Sequence, residues 1–392
     1  MIATAAAAAV GLVGGGAVGL VSRGSNAHVL DRGPSLPIPA VRTVVPDTLL
    51  AWTPGGLPAG FARGVRHVPG VDHVAAVASG IAWMTASYSS DGVQVDRPPR
   101  GLAIPLEVAG VDPVGYALFL APGERATLSA LAAGEAALGQ SSAALRRLGP
   151  GGTLRFDGRT LRIAAVLPDT AIGANEVVVS KAVAARLGIT RDRYLLIDPA
   201  AGASRTSLTI AIRRLLSPGV QVQIRGPGET PYFRQGDAVL PQVKIKQVFG
   251  EFAARPVAGG FIDIDPSWVA RHIVTAAVPI LGTVTCNRAI IPQLRGALSD
   301  ALRSGLGGLI DPRDFGGCYS PRFLNRIPAD GLSHHAWGVA VDLNVSANPF
   351  GRTPHQDPRL VAIFERWGFT WGGHWVVPDG MHFEFVRFSP GD

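Results

Sequence analysis

The chain is short of several residue types, and each shortage removes a class of function. Cysteine is limited to Cys286 and Cys318, and neither stands in a CxxC or Cys/His pattern. They are read either as one disulfide in an oxidising compartment or as two buried free thiols. Lysine is nearly absent: only Lys181, Lys244 and Lys246 stand among 36 basic residues. That arginine bias, with abundant Ala and Gly, is a stamp of GC-rich coding and carries no functional weight. The net charge of +7 suits an anionic partner. The arginines are scattered rather than gathered in a stripe, and no zinc finger or aromatic RNA-binding signature accompanies them, so nucleic acid is set aside as a partner. No uninterrupted apolar run of membrane-spanning length follows residue 22, which excludes a bundle of membrane helices.

What is present begins with that first apolar run. Residues 1–22 are almost wholly Ala, Gly and Val and end at Ser22-Arg23, near the length that crosses a bilayer. Met1-Ile2-Ala3-Thr4 lacks the basic start of a signal peptide, whereas Ser25-Asn26-Ala27 offers a small-residue cleavage site. Residues 1–25 are therefore expected to be a signal peptide or a membrane anchor. Either one puts the rest of the chain outside the cytoplasm, secreted or held at the membrane.

At 392 residues and 47% hydrophobic, the remainder is long enough for two domains with their own cores. Residues 26–46, rich in Pro, Gly and Ser, read as a linker. Over 47–216, short apolar runs at Val74 to Val77, Leu102 to Val108, Leu161 to Val166 and Glu176 to Val179 predict strands. Thr127 to Ala137, Ser141 to Leu148 and Ser204 to Leu216 predict helices, giving a mixed α/β domain. Residues 217–241 are a turn-rich, strand-like connector, and 242–392 form a second domain with no internal repeat. In that domain Pro292 opens a helix with Leu294, Leu298 and Leu302 four apart. Asp357-Pro358 opens another, whose stripe is Leu360, Ile363, Phe364 and Trp367. The expected class is α+β, with an antiparallel sheet and flanking helices in the C-terminal domain.

Five of the nine histidines fall between His334 and His382, and their placement on alternating segments matters more than their number. In Val339 to Asn344, Val339, Val341 and Leu343 alternate with Ala340, Asp342 and Asn344. In Met381 to Phe385, Met381, Phe383 and Phe385 bury one face while His382 and Glu384 share the other. If the two strands are neighbours, Asp342 and His382 meet across one polar face, and His335 reaches the strand end through the turn at Trp337-Gly338. Two imidazoles and a carboxylate are a set that holds catalytic zinc and leaves one position for water, whose pKa falls towards about 7. Asp379, three residues before His382, is the nearest carboxylate in sequence that could act as a base, and Glu384 competes or orients a histidine.

At these residues the chain resembles a known family. Ser333 to Asp342, SHHAWGVAVD, is similar to the S-x-H-x-x-G-x-A-x-D motif of VanY-like and VanX-like zinc peptidases. Trp371 to Phe385, WGGHWVVPDGMHFEF, is similar to their closing W-G-G-x-W…D-x-x-H-F-E segment. That family includes D-alanyl-D-alanine carboxypeptidases, dipeptidases and L-alanyl-D-glutamate endopeptidases. The resemblance implies zinc bound by His335, Asp342 and His382, with Asp379 as general base. It also implies an arginine supporting the substrate carbonyl or the developing oxyanion, with Arg322 first and Arg326 second. The implied partners are peptidoglycan peptides. His334 falls at a variable position, and His374 stands where an acidic residue is common in the family. Trp337, Trp371 and Trp375 are expected to pack near the site. The aspartate base leans the reading from dipeptidase towards carboxypeptidase or endopeptidase.

Gly134 to Ser180 resembles the extracytoplasmic core domain of MacB-like and FtsX-like permease subunits, without the later membrane helices that a permease needs. Three functions follow as expectations: a zinc peptidase acting on wall peptides, a zinc-containing protein that binds wall or partner without turnover, and an adaptor of a membrane complex whose N-terminal domain meets a protein partner.

Overall fold

A computed structural model describes residues 47–230, 232–236 and 240–388. The apolar segment and most of the linker expected over 1–46 lie outside the described residues. Among the described residues no helix is long and apolar enough to cross a membrane.

The N-terminal half is a nine-stranded sheet: β1 (Leu49–Trp52), β2 (Val71–Tyr88), β3 (Ile104–Val111), β4 (Glu135–Gly139), β5 (Thr153–Phe156), β6 (Arg159–Leu167), β7 (Val177–Ser180), β8 (Asp192–Pro199) and β9 (Gln223–Arg225). The order is β3-β7-β4-β6-β5-β2-β8-β1-β9, and a further β2–β3 pairing closes six of the strands into a ring. β2 makes this closure possible. Its start pairs with β8, its middle with β3 and its end with β5, across bulges that bend it. The sequence shows only Val74 to Val77 of this strand, because its interior continues in Ala and Gly, which give a weak apolar signal.

Two of the three helices expected in this half form. Ser141 to Leu148 matches the helix Gln140–Arg146, and Ser204 caps the helix Arg205–Arg213 through its side chain. Thr127 to Ala137 does not hold as one helix. The helix Pro122–Ser129 ends there, and Glu135–Gly139 is β4, buried between β6 and β7. Small residues such as Ala136 and Ala137 have high helix propensity, but a central strand position with no exposed face overrides it. β9 lies inside the stretch expected to be a connector and adds to the sheet edge at β1.

The C-terminal half carries two hairpins, β10 (Ala254–Val257) with β11 (Phe261–Ile264) and β12 (Ile273–Val278) with β13 (Gly282–Asn287). Its remaining sheet is antiparallel in the order β14 (Ala340–Asp342), β16 (His382–Phe385), β15 (Phe369–Trp371). The helix Pro358–Arg366 packs on it through Leu360 and Phe364, and the helix Ile291–Arg303 packs against that helix and β12, its Leu294 and Leu298 in the same core. Leu302 departs from its expected stripe and is exposed. Steps of four residues drift about 40° each around a helix, so by Leu302 the row has turned off the core, where Ala301 takes over.

The helix Gln242–Phe249 joins the two halves. Ile245 and Phe249 enter the C-terminal core, while Val243 packs with Ala174 and Tyr232. From the same helix, Lys246 reaches Glu176 at 2.8 Å and Glu251 at 2.9 Å, and Gln242 donates to Glu176 at 2.9 Å. Arg146 pairs with Glu176 at 3.0 Å and also with Glu251. Arg146, Glu176 and Lys246 are each almost fully buried. Burial disfavours the Glu176 charge, but Lys246 and Arg146 outweigh it and hold the carboxyl below its ordinary range.

Removing one partner leaves uncompensated buried charge, so Glu176→Ala should cost about 3–5 kcal/mol, read as a lower urea midpoint. Because the folded pKa is depressed, the stabilisation by Glu176 is complete above about pH 4.3 and is lost as pH falls through the lower folded value. The wild-type midpoint should therefore fall more steeply with acid than that of Glu176→Gln. Parallel pH profiles would contradict the assignment.

Candidate metal centre

The site is built where β14 and β16 run side by side. Their register sets Asp342 directly opposite His382. Val341, Leu343, Phe383 and Phe385 are fully buried in the core, which fixes both strands and turns Asp342, His382 and Glu384 to the other face.

His335 arrives from the short 3₁₀ turn His334–Ala336. Ser333 caps this turn by accepting from the His335 backbone N–H at 3.3 Å. Gly338 then takes the chain into β14 at φ 65°, and a Cβ there would meet the Asn287 backbone nitrogen at 2.8 Å. The glycine of the motif is thus required by both conformation and space. The disulfide Cys286–Cys318 ties β13 to the loop beneath this turn, and the Cys318 carbonyl accepts from His335 Nδ1 at 2.7 Å.

His335, Asp342 and His382 form the one metal-compatible group of three among the described residues, with ligand atoms within 4.8 Å of one another. His335 Nε2 lies 3.2 Å from Asp342 Oδ2, and His382 Nδ1 lies 3.0 Å from Asp342 Oδ1. The two ring nitrogens are 3.2 Å apart. Since His335 Nδ1 donates to the Cys318 carbonyl and His382 Nε2 faces Glu384 Oε2 at 3.0 Å, both lone pairs point inward at each other and at the carboxylate. Two facing lone pairs need a cation or a proton between them. An N,N,O donor set of this size fits zinc.

In the absence of a cation a proton takes that place. Burial opposes charge on His382, but Asp342 and Glu384 outweigh it and its pKa is raised to about 10. Burial opposes charge on Asp342 as well, but His335 and His382 outweigh it and hold its carboxyl well below the usual carboxylate range. Glu384 is buried too, yet His334 and His382 lower it to about 2. His334 Nδ1 lies 3.1 Å from Glu384 Oε1. Glu384 therefore orients a ligand histidine rather than facing the metal position.

A cleft of about 290 Å³ opens on this group. Asp379 lines it. Burial pushes its carboxyl up, only partly countered by His382, and Oδ1 is buried without a hydrogen-bond partner. Arg322 also lines the cleft, half-buried, with Nη1 donating to Ser333 Oγ at 3.4 Å. Arg326 instead stacks on Phe261 and donates to the Gly259 carbonyl, outside the cleft lining. Trp337 and Trp371 are packing residues, and Trp375 lines the cleft with its ring 5.2 Å from His382. His374 is exposed and meets the edge of Trp371.

Sequence reasoning missed the opposite wall. Trp52, Thr53, Glu107, Arg193, Arg234 and Gln235 of the N-terminal half line the same cleft. They are a hundred residues or more from the ligands, and no spacing rule reaches that far.

The family model for D-alanyl-D-alanine carboxypeptidase matches residues 328–385, the stretch that holds the three ligand candidates and Asp379. No curated protein matches the chain. Among solved structures, the periplasmic region of MacB from Actinobacillus actinomycetemcomitans is similar at 12% identity, covering 48% of this chain and 92% of that one, with TM-score 0.32. The extracellular domain of the noncanonic ABC-type transporter YknZ from Gram-positive bacteria is similar at 15% identity, covering 45% and 99%, with TM-score 0.30.

Titration against a chelating dye should show one zinc per chain, lost in His335→Ala. Replacing Cys286 and Cys318 by Ala keeps the Cys318 carbonyl but frees its position, so zinc should bind about 10- to 100-fold more weakly. Opening the loop should also cost about 3–4 kcal/mol of stability. Unchanged zinc affinity in the double variant would remove the disulfide from the account of how His335 is held.

Proposed function

We propose that the protein is a zinc peptidase that hydrolyses peptidoglycan stem peptides outside the cytoplasm, as a D-Ala-D-Ala carboxypeptidase or an L-Ala-D-Glu type of endopeptidase. The observation that carries this reading is the convergence of His335, Asp342 and His382 lone pairs on one point, with Asp379 beside them in a cleft. The match of residues 328–385 to the D-alanyl-D-alanine carboxypeptidase family supports the substrate class. The Cys286–Cys318 disulfide supports an oxidising, extracytoplasmic location.

The residues divide the work by their surroundings. His335, Asp342 and His382 would hold zinc, which when bound would supply Lewis acidity and lower the pKa of a water towards neutrality. Asp379 accepts the proton of the attacking water, and burial, by raising its pKa, makes it a stronger proton acceptor than an exposed aspartate. It can then return the proton to the leaving amine. Arg322 lines the cleft and, among the described residues, closes no ion pair with a carboxylate, so it stands ready to offset negative charge developing on the carbonyl oxygen. Glu384 and the Cys318 carbonyl keep the two imidazoles in the tautomers that leave their lone pairs free. Trp375 bounds the cleft beside His382 and limits water access.

Asp379→Ala should bind zinc with wild-type stoichiometry and lose about 10²- to 10⁴-fold in kcat on defined muropeptides, followed by mass spectrometry of products. Arg322→Ala should lose kcat more than KM. Full turnover by Asp379→Ala would move the base elsewhere. Stoichiometric zinc with no cleavage by the wild type would favour a binding protein.

A further inference from the structure

Among the described residues, the far wall of the cleft brings two arginines to one carboxylate. Arg193 on β8 donates to Asp330 Oδ1 at 3.0 Å, and Arg191 approaches the same oxygen at 3.5 Å. Two guanidinium groups therefore share one carboxylate. Asp192 between them is engaged by Lys181 at 2.7 Å and does not help. By contrast, the nearby Arg234 is matched by Glu107 at 2.5 Å.

The surplus faces the substrate space. Arg193 lines the cleft together with Asp330. It uses only Nη1 for its two bonds, to Asp330 and to the Ala329 carbonyl. None of its nitrogens is a buried atom lacking a partner, so Nη2 and Nε look onto accessible space. β8 is an interior strand and Arg193 is its bulged residue, since Asp192 pairs with Ala78 while Tyr194 pairs with Val77 and Trp52, and the bulge aims the side chain into the cleft. A planar guanidinium with two free donors matches a carboxylate in bidentate geometry.

We propose that Arg193, backed by Arg191, is a carboxylate-binding subsite, through which the N-terminal half selects peptides bearing a free carboxylate close to the scissile bond. This rests on the peptidase reading above and adds the group that sets its specificity. Asp330 is the positioning residue of the subsite. It holds Arg193 in place and joins the far wall to the loop that follows Arg322.

The test compares an N-acylated peptide ending in D-Ala-D-Ala with the same peptide as its C-terminal amide, using the full zinc-loaded chain. The wild type should favour the free acid, and Arg193→Gln should raise KM for the acid about 10- to 100-fold while changing KM for the amide less than about twofold. Asp330→Asn, which loosens the clamp but keeps the guanidinium, should retain the preference for the acid. Equal losses on both peptides in Arg193→Gln, or loss of the preference in Asp330→Asn, would overturn the subsite. If the wild type cleaves neither peptide, the carboxypeptidase reading fails by itself. The subsite is then read from calorimetric binding of the two peptides, where equal affinities in wild type and Arg193→Gln would overturn it.

Discussion

The arrangement depends on a buried cluster of balanced charge. Arg146 and Lys246 face Glu176 and Glu251 where the two halves meet, and removing any one member leaves an ion stranded in a low-dielectric interior. Such a cluster tolerates little relative displacement, because its hydrogen bonds include fixed backbone acceptors such as the Pro105 carbonyl, which receives Lys246 and Gln242. The network therefore fixes more than stability. It holds the wall carrying Arg193 and Arg234 against the wall carrying the histidines, and the cleft exists only between them.

The candidate metal centre is a smaller version of the same logic. Each ligand is held by something that is itself held. His335 leans on a carbonyl anchored by the disulfide, His382 leans on Glu384, and Asp342 is locked opposite His382 by strand register. The apolar faces of β14 and β16 carry this rigidity into the core, where Phe383 packs against Phe364 and Phe385 against Phe249. Asp379 is the exception. It sits on a turn after Pro378 with one oxygen unpartnered, a poor arrangement for stability but a useful one for a proton acceptor.

The legibility of these features in the sequence follows the range of the forces behind them. Asp342, His382 and Glu384 were readable because strand alternation is a local rule, and His335 because a glycine turn lies between it and the strand. The choice of Arg322 over Arg326 came from family resemblance, and the structure brings Arg322 alone into the cleft lining. The sequence allows either a disulfide or two free thiols at Cys286 and Cys318, since 32 residues of separation say nothing about approach, and the structure joins them. β4 was misread as helix because its alanines reveal propensity but not their burial between two strands. Arg193 was invisible for a different reason: its meaning comes from Asp330, 137 residues away.

The helix Gln242–Phe249 has a consequence for how such a chain can change over generations. It is the first element after the stretch that reads as a connector, yet Val243, Lys244 and Lys246 serve the N-terminal half while Ile245 and Phe249 serve the other. A recombination event that exchanged everything before residue 242 would take Asp169 from Lys244 and Glu176 from Lys246, leaving Lys246 only Glu251. The two halves are thus inherited as a pair, and a change on one side of the seam constrains what the other side can become.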